Sequence, residues 1–192
     1  MQVVSFPEED VPLPFRTQVV ALQDQAWPDD EPRDGSAGLA ETHDPALRPV
    51  SMLLIEGDRV LAALDILSKD ITHGGRRYAA SGLSTVVTDP VERGKGFGRR
   101  LVLAARDAIR DSGADLGVFT CDRHLQAFYE SAGWQTLVDT VLVGGTVDAP
   151  FPSDRFDKVT MAAFFSAQAR DHAEEFQHAR IELYPGDRDK LW

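Results

Sequence analysis

A single cysteine, Cys121, is all the thiol chemistry this 192-residue chain holds. One cysteine excludes an internal disulfide and leaves no trace of an oxidising compartment. Long apolar runs are missing as well: no segment approaches the roughly 20 residues a membrane-spanning helix needs. The opening stretch MQVVSFPEED lacks the basic start and apolar run of a secretory signal. The expectation is a cytoplasmic protein with no membrane partner. His43, His73, His124, His172 and His178 are scattered without metal-ligand spacing, so no metal site is expected. Positive charge is scarce, with 20 basic against 31 acidic side chains and a net charge of −11. A field of that sign repels nucleic acid and draws small cations. No internal repeat or low-complexity linker divides the chain, and its length suits one well-buried domain over residues 1–192.

What is present has a readable order. Between Thr17 and Trp27, the residues Val19, Val20, Leu22, Ala26 and Trp27 share one helical stripe, which Pro28 ends. The acidic, turn-forming run DDEPRDGSAGLAETHDP follows as a long surface loop, a kind of segment that in compact domains is often functional. PVSMLLIEGDRVLAALDIL and YAASGLSTVVTD read as three strands, the first two split at EGDR and the third reached through the polar hairpin KDITHGGRR. The period then becomes helical at Phe97, Leu101, Val102, Ala105, Ala108 and Ile109, closing at Ser112 and Gly113. DLGVFTC is a short buried strand, RHLQAFYESAG a second helix and WQTLVDTVLVG a strand. KVTMAAFF is a last strand before a polar helical segment from about Ser166 to Ala179 and the tail RIELYPGDRDKLW. Strands first, then strands alternating with helices, predict a mixed α/β sheet with helices on its faces.

The stretch DPVERGKGFGRRL gathers Gly94, Gly96 and Gly98 among Arg93, Lys95, Arg99 and Arg100. Glycines let main-chain N–H groups approach a ligand, and a helix starting there adds its positive end, so the combination is an anion cradle. A dinucleotide fingerprint would need glycine at 99, where Arg99 stands, and a P-loop would need Lys then Ser or Thr after Gly98. A third template, Arg-Gly-x-Gly-x-Gly after a strand ending in x-Pro-x-x, matches TDPVERGKGFG position by position. This resembles the acetyl-coenzyme A motif of the GCN5-related N-acetyltransferases (GNAT). LQAFYESAGW also resembles that family's A-x-x-F-Y-x-x-x-G-F/W segment.

The resemblance implies the GNAT fold, a mixed and mostly antiparallel central sheet flanked by helices, with acetyl-CoA as cofactor. It assigns the pyrophosphate to the backbone from Arg93 through Gly94, Lys95, Gly96, Phe97 and Gly98 to Arg99. It gives Tyr129 the role of protonating the leaving thiolate. It places the oxyanion on amides of STVVT, with Val86 and Val87 as candidates, and pairs Val86 and Thr88 with the pantetheine arm; alternation predicts Ser84, Val86 and Thr88 on one face. Many relatives carry a glutamate where this chain has Ser84. A serine is no base at neutral pH and only holds a water, so either a water chain leads to a more distant acid or another carboxylate substitutes. Cys121, at a strand end, reads as a core or coenzyme-lining residue.

The order of elements most resembles the aminoglycoside 2′-N-acetyltransferases, including the branch acting on kasugamycin, over residues 17–145 and the tail PGDRDKLW. That resemblance implies a cationic amino-sugar acceptor, antibiotic resistance, and contacts from Asp29, Asp30, Glu31, Asp34, Asp154 or Asp157, Asp187 or Asp189, and the carboxylate of Trp192. A mouth lined with carboxylates concentrates and orients such a polycation. Association into a homodimer is compatible with this reading. Two alternatives stay open: acetylation of another polyamine or of protein amines, and a non-catalytic sensor of coenzyme or drug.

Overall fold

The computed structural model describes residues 1–28 and 42–192. Strand β1 (Gln2–Pro7) leads to helix α1 (Leu13–Ala26), whose first turn accommodates a proline. Strands β2 (Val50–Glu56), β3 (Arg59–His73) and β4 (Arg76–Thr88) form an antiparallel meander, with β1 on the β2 edge. Helix α2 (Phe97–Asp111) crosses over to β5 (Leu116–Asp122), which joins β4 in parallel. After α3 (Gln126–Ser131) come β6 (Gln135–Leu137), β7 (Val141–Gly145), β8 (Pro150–Pro152) and β9 (Lys158–Phe164). Helix α4 (Ala167–Asp171) and β10 (Arg180–Glu182) precede the tail. The main sheet runs β1-β2-β3-β4-β5-β9-β6, and β10-β7-β8 form a second one. The sheet is mixed and mostly antiparallel, with helices on both faces.

Alternation along the central strands sorts the core. Leu53, Ile55, Val60, Ala63 and Val87 face Phe15, Val19 and Leu22 of α1. The intervening Met52, Leu54, Ala62 and Leu64 join the larger cluster that holds Leu101, Val102, Ala105 and Ile109 of α2. The tail returns to the α1 face, because Trp192 packs on Gly82, the register partner of Leu67.

Three local expectations change. The edge strand β1 has too little pattern to be read alone; its pairing with β2 makes it. WQTLVDTVLVG breaks in two, since Asp139 takes a left-handed turn (φ 45°) and the single hydroxyl proton of Thr140 is shared between the carbonyls of Val138 and Phe176. As a result β6 stays beside β9 while β7 leaves for the second sheet. The segment 166–179 forms a short helix capped by Ser166, whose hydroxyl accepts from the Ala169 amide, and then a 3-10 turn that buries Phe176.

Candidate active site

Two features of β4 create an opening. Its ladder with β5 is limited to Ala80–Leu116 and Ser81–Gly117, so the strands part from Gly82 onward. On the other side its register against β3 slips: Ala63 faces Val87 but Asp65 faces Ser84, leaving Thr85 and Val86 together opposite Leu64. This is a β-bulge, and Thr85 sits in it at φ 49°, a conformation that a β-branched residue rarely takes. The extra residue overturns the expectation of one shared face. Ser84 stays on the α1 face opposite Asp65, Val86 packs into the α2 side of the core, and Val87 lies beneath α1. Thr88 points at α2, where a Cβ added to Gly98 would lie 2.7 Å from its hydroxyl.

The glycine loop runs from a turn at Pro90–Glu92, in which the Asp89 side chain accepts from the Val91 amide. Gly94 and Gly96 have φ values of 80° and 82°, open to glycine at no steric cost. The first intrahelical bond of α2 is Arg100 N–H to the Gly96 carbonyl, at 3.0 Å, so the amides of Phe97, Gly98 and Arg99 have no partner in the helix ladder. The cations are largely engaged elsewhere. Lys95 Nζ lies 2.7 Å from the mostly buried Glu92, Arg59 bridges Asp89 and Glu92, and the Arg99 guanidinium donates to the Ser131 carbonyl. Arg59 and Lys95 hold the Asp89 and Glu92 carboxyls below their ordinary range. An anion here would therefore be met by backbone amides and the helix end rather than by a lysine. The residues fit a pyrophosphate: the backbone is turned outward at Gly94 and Gly96, and α2 is seated against Thr88 with no side chain between them.

Tyr129 is brought to the same region through Phe128, which neighbours Gly98. Its ring meets Phe119 and Phe128 edge-on, with centroids 5.0 and 4.9 Å away. Only 5% exposed, it has its phenol pKa raised by burial, with Cys121 and Asp122 adding to the effect. Cys121 is buried too, and its thiol is pushed up to about 12, first by desolvation and then by Asp122. That is an inert thiol, not a nucleophile.

The expected acids are divided. Asp29, Asp30, Glu31 and Asp34 lie outside the described residues. Asp154 pairs with Arg180 at 3.2 Å and Asp157 with Arg123 at 2.7 Å, all at the surface. Asp187 is exposed, whereas Asp189 is buried and accepts from His43 Nδ1 at 2.5 Å and from the Asp44 amide at 2.9 Å. The Trp192 indole donates to the Val118 carbonyl at 2.9 Å and fills the gap between Gly82 and β5.

Sequence reasoning missed His43, Asp65 and Thr85. Asp65 accepts from Ser51 Oγ at 2.5 Å and from the Thr85 hydroxyl, and lies 3.3 Å from His43 Nε2. Burial alone would lower the His43 pKa, but the hydrogen bond to Asp189 and the charges of Asp65 and Asp189 raise it to about 10. The signal was available: Asp65 is the one charge in VLAALDIL, a strand otherwise apolar. Beside it, Glu8, Arg16, Gln23 and Ser51 line a small polar cavity under α1.

The bulge at Thr85 and Val86, the parting of β4 from β5 and the glycine loop follow one another along the chain, and Tyr129 is joined to that loop through Phe128. A family model for the acetyltransferase (GNAT) domain matches residues 15–137, and the chain belongs to that family, whose members use acetyl-CoA. Solved structures share the fold at low identity. An acyl-CoA N-acyltransferase from Pseudomonas aeruginosa is 16% identical, covering 84% of this chain and 97% of its own, with a TM-score of 0.55. An aminoglycoside 6′-N-acetyltransferase complexed with coenzyme A is 14% identical, with coverages of 86% and 98% and a TM-score of 0.59. The aminoglycoside 6′-N-acetyltransferase from Enterococcus faecium is 14% identical, with the same coverages and a TM-score of 0.57. No curated protein sequence matches the chain. Among the described residues no helix is long and apolar enough to cross a membrane.

Proposed function

We propose that the protein moves an acetyl group from acetyl-CoA to an amine of a small polycationic amino sugar of the aminoglycoside type. The observation that carries the transfer chemistry is the bulge at Thr85 and Val86, set where β4 leaves β5 and on the strand that runs into the glycine loop. Acetyl-CoA, when bound, supplies an activated thioester. The amides from Arg93 to Arg99 would hold its diphosphate, the edge of β4 from Val86 to Thr88 would hydrogen-bond its pantetheine arm, and the Val86 N–H would donate to its acyl oxygen. Tyr129 holds a proton at its phenol oxygen, secured by burial.

The acceptor class rests on charge, since a net −11 favours a cation. Two of the structures sharing the fold are aminoglycoside 6′-N-acetyltransferases. Transfer to the 2′ position, kasugamycin as acceptor and a resistance role in the cytoplasm are the finer readings that the order of motifs and the tail support. Of the two tail acids we assign Asp187 to the cation, because it is exposed while Asp189 is committed to His43. The test is thiol release from acetyl-CoA over a panel of amino sugars that includes kasugamycin, with the product's mass and acetylated nitrogen determined. At least one sugar is expected to exceed buffer. Acetylation confined to peptides or linear polyamines overturns the acceptor class.

A further inference from the structure

Thr85 is an unusual residue to find at φ 49°, since glycine or asparagine takes that conformation more easily. Something must hold it there, and the contacts name it. Its hydroxyl donates to Asp65 Oδ2. Asp65 is 4% exposed in the middle of the apolar β3, a position that demands compensation for its charge. Its other oxygen accepts from Ser51 at 2.5 Å. His43 Nε2 lies 3.3 Å from Oδ2, close enough for charge attraction but without a hydrogen bond of its own. His43 in turn is aimed by Asp189, and its backbone is fixed by the Glu8 carboxylate on its N–H and by the Arg188 guanidinium on its carbonyl. The links run without a break from the tail, through the segment after α1 and the centre of β3, to the bulge.

We propose that Asp65, His43 and Asp189 are positioning residues: their chain of contacts holds Thr85 in the bulge and so aims the Val86 amide at the acyl oxygen. The inference rests on the transferase reading for its purpose, but its structural content belongs to the free protein. An aspartate with no such role would only anchor the tail, and removing the Thr85 hydroxyl would leave β4 as it is. With the role, loss of that one hydroxyl lets Thr85 leave its left-handed conformation and turns the Val86 amide toward β3.

The deciding measurement is the Val86 amide in the protein without ligand, by its nitrogen–proton resonance and its exchange with solvent. Thr85→Val and Asp65→Asn are expected to move that resonance and slow its exchange, while Thr85→Ser, which keeps the hydroxyl, leaves both as in the parent. Calorimetry adds a second reading: acetyl-CoA should lose about tenfold in affinity in Thr85→Val, the scale of one hydrogen bond, with coenzyme A binding unchanged. Should Asp65→Asn or Thr85→Val not fold, Thr85→Gly serves, since glycine takes the conformation unaided. Adding Asp65→Asn to Thr85→Gly should then leave Val86 unmoved. A Val86 resonance and exchange rate unchanged in Thr85→Val, or a shift on adding Asp65→Asn to Thr85→Gly, overturns the proposal. If the parent protein binds neither coenzyme, the transferase reading fails, and the resonance of the free protein still decides the positioning one.

Discussion

Asp65 and Ser84 face each other as a register pair across β3 and β4, on the face that α1 covers. A carboxylate thus stands one strand away from Ser84, buried and coupled to a histidine. Its environment makes it expensive to alter. Asp65→Asn removes one of the two carboxylates beside a buried imidazolium, leaving it to Asp189 alone, and should destabilise the fold by about 1–3 kcal/mol. Urea unfolding of the two proteins side by side checks this, and a midpoint within error of the parent would mean His43 is not charged.

The pH dependence of stability follows from His43. Its pKa rises from 6.5 to about 10 on folding, so it contributes stability that is fully present below pH 6.5 and is lost as pH climbs toward 10. The groups facing it are Asp65 on β3, Asp189 and Arg188 on the tail and Glu8 before α1. The loss should amount to a few kcal/mol. Denaturation midpoints taken between pH 6 and 10 should fall in the parent protein and stay nearly level in His43→Gln.

Tyr129→Phe should leave coenzyme affinity intact and cut turnover by about 10²-fold or more, the scale of one general acid. Because burial raises the phenol's pKa, no alkaline loss of rate from Tyr129 is expected at or below its ordinary value near 10. Rates with an amino-sugar acceptor and binding by calorimetry separate the two effects. Unaltered turnover would remove Tyr129 from the chemistry.

Cys121 offers a silent control. With its thiol pushed up from 9.0 to about 12, alkylation at pH 8 should be slower than for a free thiol by roughly 10³-fold. Labelling followed by mass spectrometry should become complete only in denaturant. Fast modification of the native protein would show that β5 opens readily.

The tail gives a steric prediction. A Cβ on Gly144 would collide with the Lys190 carbonyl, a backbone atom with nowhere to retreat. Gly144→Ala should therefore lift residues 183–192 and destabilise the protein by about 3 kcal/mol. Proteolysis of the native variant should cut within the tail, where the parent resists.

The central strands, α2 and the glycine loop were legible because their signals are local: period, turn residues and a motif at fixed spacing. The parting of β4 from β5 has no local signal in GLSTVVT. The bulge has none either, since STVVT carries no glycine to mark an irregular backbone. Its cause is a contact with Asp65, twenty residues upstream. His43 and Asp65 escaped for the same reason, and Asp189 was read as a substrate contact rather than as their partner: Asp65 and Asp189 are 22 and 146 residues from His43 in the chain and meet it only in the folded protein. Lys95 is expected to serve through its backbone, and its ammonium is in fact held by Glu92, a pairing three residues apart that composition does not reveal.

Two register pairs are all that ladder β4 to β5. The main sheet is therefore two half-sheets, β1 to β4 and β5 with β9 and β6, clasped by α2 on one face and by the Trp192 indole on the other. A seam of this kind opens along its length more cheaply than a continuous ladder does. A coenzyme lying along the β4 side and reaching α2 works as a mortar in that seam: at a hundred times its dissociation constant it adds about 2.7 kcal/mol. The melting temperature of this protein then becomes a gauge of how well its cleft is filled.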